Sequence, residues 1–391
     1  MKNLTATICQ IVKHFNLPGL AHDGLLASNL GKTASRNLGA SHNDSAPRHL
    51  KAKKLMTRKT FANYIFTVSL VATAGINTAQ AADPINNKSY FNTELGAVFF
   101  NIPEYKDGFG VVGLAPVSGP FFTKAGDQVG ASIKLTAGTL TDLRVESVDG
   151  LVFFEASGFY SKSDENFNST LGSDSAGNNI RFALFNGSNG YNSSNANPLN
   201  YELKSEIDYY GATASVGVEV KKLDWTFRTQ IGPQFRRLNQ DYTLRGTNPT
   251  NSTSFYNRDE SLKTNYLGGR LAVSTSKDLS EKLSFSSVIG FSLLNMRAVY
   301  KGIDDRAFVG GSSLKQNLHK TTYGADLTVG AKYNFTPAIE FGVNLSVDYL
   351  NKVPEIVHAT GARANATFVP GYLDTSYVWA NSVRTEVKIR F

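Results

Sequence analysis

From residue 82 onward, apolar and polar side chains alternate in runs of about ten to thirteen residues, and no helical period is sustained. The last ten residues show the pattern plainly: Val383, Thr385, Val387, Ile389 and Phe391 interleave with Arg384, Glu386, Lys388 and Arg390. Runs 321–333 and 338–350 repeat it across the short link Asn334-Phe335-Thr336-Pro337. In the first, Tyr323, Ala325, Leu327, Val329, Ala331 and Tyr333 share a face opposite Asp326, Thr328 and Lys332. In the second, Ile339, Phe341, Val343, Leu345, Val347 and Tyr349 oppose Glu340, Asn344, Ser346 and Asp348. A period of two is that of a strand. One apolar and one charged face fit either a soluble sandwich, with the apolar side on a core, or a membrane barrel, with the apolar side on lipid.

The unit recurs. Tyr210-Gly211, Tyr266-Leu267-Gly268 and Tyr323-Gly324 open descending strands 56 and 57 residues apart, and the tight turns around Lys222, Leu279 and Thr336 follow at intervals of 57. A fixed interval marks a repeated supersecondary unit, here a long loop, a strand, a short turn and a strand. Laid along the chain it predicts strands near 90–101, 127–138, 150–162, 205–220, 224–240, 263–276, 283–300, 320–333, 338–351 and 376–391. An even count puts both termini on the periplasmic side. The long connections 102–126, 163–204, 241–262, 301–319 and 352–375 then fall on the outer side. Segment 139–149 is read as an extension of the second strand into a long turn, because one added strand makes the count odd. In 285–300 the apolar phase moves from odd to even residues near Leu293-Leu294, which predicts a bulge. The fold class expected is all-β: a transmembrane, antiparallel, up-and-down β-barrel of about ten strands, twelve being the alternative.

The front of the chain is different. Lys51, Lys53, Lys54, Arg58 and Lys59 precede an apolar stretch over 61–75, and Ala79-Gln80-Ala81 supplies small residues three before and one before a break. That is the layout of a secretory signal peptide cleaved after Ala81, and the apolar stretch is too short for a spanning helix. Met56 stands at its start, so residues 1–55 are either an over-called start or a long leader, 56–81 the signal and 82–391 the barrel. Residues 1–81 hold ten Lys/Arg and two Asp/Glu, which leaves thirty of each in the rest of the chain. The basic excess therefore belongs to the leader, and nucleic acid is not an expected partner. The one cysteine, Cys9, also lies there, so the exported chain has neither disulfides nor thiolate chemistry.

Terminal Phe391, with apolar residues at alternate positions before it, resembles the closing strand of bacterial outer-membrane barrels. The resemblance covers the signal peptide and all of 82–391 in pattern. It implies an outer-membrane location, outer-membrane lipid and lipopolysaccharide as surroundings, periplasmic chaperones and the barrel-assembly machinery as partners during biogenesis, and Phe391 as the assembly signal. With its Tyr-Gly strand starts, the architecture most resembles porin-like major outer-membrane proteins of the Legionella type. Aromatic residues are expected in two girdles. Tyr209, Tyr210, Tyr266, Tyr300, Tyr323, Tyr349, Tyr377 and Trp379 make the outer one; Trp225, Phe285, Tyr333, Phe335 and Phe391 make the inner.

Catalytic signals are weak. Ten strands is the count of the omptin proteases, which carry an Asp-x-Asp and an Asp-x-His pair at the rim; this chain has neither. His319 lies near Ser312, Ser313 and Thr321, with no spacing that matches a nucleophile arrangement, and His358 reads as a loop residue. Asp304-Asp305 reads as a solvated loop pair, and the polar runs 168–179 and 186–198 as exposed loop that could serve adhesion. No catalytic, cofactor-binding or metal-binding residue is expected. The alternation instead turns a set of charges toward the lumen: Glu94, Glu155, Glu219, Asp326, Glu340, Asp348 and Glu386 against Lys134, Arg228, Arg236, Arg270, Lys332, Arg384, Lys388 and Arg390. In so narrow a barrel they should pair. The function expected is a porin-like narrow channel for small polar solutes or ions. The alternatives are a surface adhesion or recognition barrel with a filled lumen, or a rim hydrolase.

Overall fold

The computed structural model describes residues 89–112, 115–118, 122–124, 126–174, 176–186, 189–251, 255–306, 311–359 and 370–391. The expected signal peptide and the segment before it lie outside these residues. Ten long strands form a closed antiparallel barrel: β1 (Ser89–Asn101), β6 (Asp127–Val145), β7 (Gly150–Leu171), β10 (Leu199–Lys222), β11 (Trp225–Thr247), β12 (Phe255–Asp278), β13 (Leu283–Arg306), β14 (Ser312–Thr336), β15 (Ile339–Val357) and β16 (Tyr372–Arg390). Each pairs with its neighbour in sequence, and β1 pairs with β16 to close the ring. At the seam the backbones of Ser89 and Phe391 exchange two hydrogen bonds, of 3.2 and 3.0 Å. The first outer connection carries β2 (Tyr105–Asp107), β3 (Phe109–Val112), β4 (Ala115–Ser118) and β5 (Phe122–Lys124); the second carries β8 (Asn179–Ala183) and β9 (Asn189–Ser193).

All ten predicted strands are present. The second runs on to Val145 and ends in a single 3-10 turn, Glu146–Val148, as its reading as an extension required. The strands are longer than predicted, however. β7 and β10 to β14 have 22 to 25 residues, extending the barrel outward through 163–171, 199–204, 241–247, 255–262, 301–306 and 312–319, all expected as loop. At about 3.3 Å per residue, such strands exceed the ~25 Å apolar band of an outer-membrane barrel even when tilted. The expectation ended each strand where its lipid-type face ended, whereas the hydrogen-bond ladder continues into water.

The same cause removes the predicted bulge. Pairing of β13 with β12 and with β14 is unbroken through Leu293 and Leu294. Below this point the exposed side chains are Ile289, Phe291 and Leu293; above it the buried ones are Leu294, Met296, Ala298 and Tyr300. The wall keeps its register while its apolar side changes from outside to inside.

The girdle assignment needs a correction. Tyr209, Tyr266 and Tyr300 are buried inside the barrel. The outer row is carried by Tyr323, stacked on Phe291 at 6.3 Å, and by Tyr349, which meets Trp379 at 4.6 Å and Tyr377 at 6.5 Å. At the inner end Tyr333, Phe335 and Phe391 are exposed, and Lys277 lies over Trp225. Between the two rows, exposed Ile231, Leu271, Val273, Ile289 and Val343 form the lipid-type exterior.

Candidate functional site

Alternation decides which side chains enter the lumen, and in the inner half these are polar. A cavity of about 540 Å³ occupies it and reaches Lys221, Asp278 and Asn334 at the short turns. All fifteen charged residues expected in the lumen line this cavity. Glu94 meets Lys134 at 3.0 Å and Arg384 at 3.8 Å; Glu219 meets Arg228 at 2.7 Å. Arg270 holds Asp326 at 2.6 Å, and Arg236 holds Asp348 at 2.7 Å and approaches Asp326 at 3.9 Å. Lys332 meets Glu386 at 2.8 Å, while Glu340 takes Arg390 in close contact and Lys388 at 3.9 Å. Glu155 accepts the hydroxyl of Tyr90, whose ring also carries the Lys388 ammonium at 4.3 Å. Gly290 makes room for one of these pairs: a Cβ there would lie 2.4 Å from an Asp326 oxygen and 2.5 Å from an Arg270 nitrogen.

Above the cavity the inward face becomes apolar. Val98, Phe100, Ile102, Ile207, Leu238, Tyr266, Leu294, Met296, Leu350, Val353, Val378 and Ala380 form one buried cluster across the barrel. Tyr209 joins it to the charged layer below, its hydroxyl bonding Asp348 at 2.7 Å and accepting from Arg236 at 2.9 Å. Farther out, Tyr105, Ile180, Phe182, Leu184 and Tyr191 of the first two outer connections pack on Leu199, Leu203, Tyr242, Leu244 and Tyr256 of the wall. Part of the runs expected as exposed loop is therefore built into the barrel mouth, where Tyr191 is buried and Asp174 folds its own turn by accepting from the backbone of Ala176 and Asn178.

A buried polar network ties these connections down. Arg258 bonds Asp107 at 2.7 Å, the carbonyl of Ala183 at 2.6 Å and Asp304 at 3.5 Å, and lies 4.6 Å from the Phe185 ring centre. Asp304 is fully buried and accepts the Phe185 backbone N–H at 2.7 Å, which overturns its reading as a solvated loop residue; its neighbour Asp305 is exposed. His358, expected as an unremarkable loop residue, is buried: one ring nitrogen faces Glu260 at 2.8 Å, the other the Lys106 carbonyl. Burial alone would raise the Glu260 pKa, but His358 first, then Arg258 and the Tyr300 hydroxyl, bring it down to about 2. Burial alone would lower that of His358, yet the Glu260 carboxylate, with Asp107, pushes it up. Alternation of the lipid-facing type stops short of 241–262 and 352–375, so Arg258 and Glu260 carry no sequence signal of that kind and His358 reads as loop. Continuing the even-residue phase of β12 outward, through Leu262, Glu260, Arg258 and Tyr256, is the signal that finds the first two.

His319 is exposed on the outer wall opposite Arg297, whereas Ser312 binds the buried Asp304 on the inner side, so the wall separates them. Among the described residues no three His, Cys, Asp or Glu gather as a metal site.

No protein-family model matches the chain, and no curated protein matches it. Similar solved structures include the outer-membrane protease OmpT from Escherichia coli, at 10% identity and TM-score 0.41 over 80% of this chain and 100% of that one. A major outer-membrane protein of Thermus thermophilus is similar at 13% identity and TM-score 0.28, over 78% of this chain and 99% of that one. The attachment protein Ail of Yersinia pestis is similar at 10% identity and TM-score 0.25, over 78% and 99%. By its own strand order, closure and lipid-type exterior, the chain is a ten-stranded, antiparallel, up-and-down β-barrel of the transmembrane kind.

Proposed function

We propose that this protein is a surface-display barrel: a sealed transmembrane ring that holds a folded outer extension available for recognition, rather than a conduit for solutes. The observation that carries this reading is the apolar cluster spanning the lumen from Val98 and Phe100 across Leu238, Tyr266, Leu294 and Met296 to Leu350 and Val378. Ions do not cross such a layer without water or polar groups to replace their hydration. The outer connections seal it a second time through Ile180, Phe182 and Leu184. Long strands and a buried ion network spend stability on the outer extension, which a simple pore does not need. Protein incorporated into planar bilayers should give no steps of conductance above the bare membrane. Stable, reproducible channels would defeat the reading.

The narrow-channel reading is favoured by one feature, the charged cavity that reaches the short turns. It requires the apolar cluster to part, and the same bilayer recording separates the two. Export by the segment ending at Ala81, with a mature start at Ala82, accompanies either reading and is tested by N-terminal sequencing of the membrane-bound protein.

A further inference from the structure

One pair of opposite charges in the inner cavity is left unmatched. Lys388 lines the cavity and donates no hydrogen bond to any described residue; its nearest carboxylate, Glu340 at 3.9 Å, is already held by Arg390 in close contact. One carboxylate therefore serves two cations. Glu155 has no ion-pair partner among the described residues, and its carboxylate accepts the Tyr90 hydroxyl alone. Tyr90 stands between the two, with the Lys388 ammonium 4.3 Å from its ring centre and Glu155 at its hydroxyl. The wall is built to hold this ring in place. Tyr90 lies opposite Gly138 and Gly138 opposite Glu155, so the ring crosses β6 at a position without a side chain. A Cβ on Gly138 would lie 2.5 Å from the ring.

Elsewhere in this narrow space opposite charges meet directly, as Lys332 does with Glu386 and Arg270 with Asp326. Lys388 and Glu155 do not, because the Tyr90 ring lies between them. A charge withdrawn from bulk water without a direct partner is costly, and both groups line the cavity, so what satisfies them enters that space. At about 540 Å³ the cavity has the size of a small-molecule site. The apolar cluster closes it outward, which leaves entry from the short turns. The two charges sit on one ring, one over its face and one at its tip, so the matching charges of an occupant are only a few atoms apart. An ammonium and a carboxylate on one carbon meet that condition. Ser157, Gln230 and Ser286 on the remaining lining suit a polar side chain. We propose that the inner cavity binds a free α-amino acid with a polar side chain, its carboxylate on Lys388 and its ammonium on Glu155. The assignment rests on the cavity alone and holds whether or not the apolar layer above it parts.

The test is titration calorimetry on the folded protein in detergent, with L-serine and L-glutamine as probes; both should bind. N-acetylserine keeps only the carboxylate and serinamide only the ammonium. Each should bind more weakly than serine by about tenfold or more, since it forfeits one charge-assisted contact. Lys388→Met should bind serine and serinamide alike, and Glu155→Gln should bind serine and N-acetylserine alike. Each variant thus loses only the preference that its residue supplies, which a general loosening of the barrel would not produce. Lys282→Gln, on an exposed turn outside the cavity, should bind serine as the unmodified protein does. Heat-modifiable gel mobility reports whether each variant is folded; if one is not, the three serine compounds on the unmodified protein decide alone. No binding of either amino acid, or binding of N-acetylserine or serinamide as tight as that of serine, overturns the proposal. So does a preference that the matching folded variant leaves intact.

Discussion

Arg258 and Asp107 meet at 2.7 Å with both side chains essentially removed from solvent, one on a barrel strand and the other on the first outer connection. The contact joins elements 151 residues apart and fixes where that connection crosses the mouth. Because Arg258 also bonds Asp304 and the Ala183 carbonyl, it is the common partner of two connections and the neighbouring strand β13.

Breaking a buried pair strands a charge and costs about 3–5 kcal/mol. Asp107→Asn should therefore lower unfolding stability in detergent by that order, and Arg258→Met by more, since it strands Asp107 and Asp304 together. Limited proteolysis should find the first cuts of both variants in the outer connections.

The Glu260–His358 contact gives these connections a pH dependence. The groups facing His358 are Glu260, the Lys106 carbonyl and the Tyr105 ring, with Asp107 and Arg258 acting at longer range. With its folded pKa raised, His358 contributes stability fully below its ordinary 6.5 and loses it as pH rises through the raised value. With its pKa lowered, Glu260 contributes above its ordinary 4.5 and loses that as pH falls toward about 2. Protease resistance of the outer connections should thus be greatest between pH 4.5 and 6.5 and fall on the alkaline side. His358→Gln should abolish the alkaline fall; an unchanged profile would refute the role given to this pair.

The cavity should be reachable from the short-turn side alone. Cys9 is the only cysteine, so in a Cys9→Ser background a single introduced cysteine reports cleanly whether or not the leader is removed. Ser286→Cys, on the cavity wall, should react with a membrane-impermeant thiol reagent in permeabilised cells but not in intact ones. Ala298→Cys, buried above the apolar layer, should react in neither. Labelling of Ser286→Cys in intact cells would show an open path through the seal.

Arg384 lies 3.8 Å from Glu94 and bonds Ser132 at 3.1 Å, bridging the seam between the first and last strands. Arg384→Glu places two carboxylates in one buried space, and should lower stability by about 3 kcal/mol, less where cavity water reaches them. The same reversal at exposed turn residue Lys282 should leave the unfolding midpoint unchanged.

Phe391 is exposed at the inner rim, and its backbone completes the ring with Ser89. Deleting it removes both the interface side chain and the two closing hydrogen bonds. The fraction of fast-migrating, folded protein in the outer membrane should drop. Undiminished folded protein would remove Phe391 as an assembly signal.

Period-two alternation was enough to determine the ten strands, their order and the inward set of fifteen charges, because in a closed sheet between lipid and a polar lumen each residue's side follows from its parity alone. From Tyr323 to Tyr333 or from Val383 to Phe391, the local pattern and the final environment carry the same information. Beyond the outer aromatic row that link breaks. Outward residues such as Asn295 and Arg297 meet water, inward ones such as Leu294 and Met296 meet each other, and the sequence pattern inverts while the backbone continues unchanged. The apolar seal, the burial of Asp304 and the approach of His358 to Glu260 depend on segments about one hundred residues or more apart folding back into the mouth. Only the tertiary structure decided these, because a side chain's burial there is set by what packs against it from distant connections and not by its own neighbours in the chain.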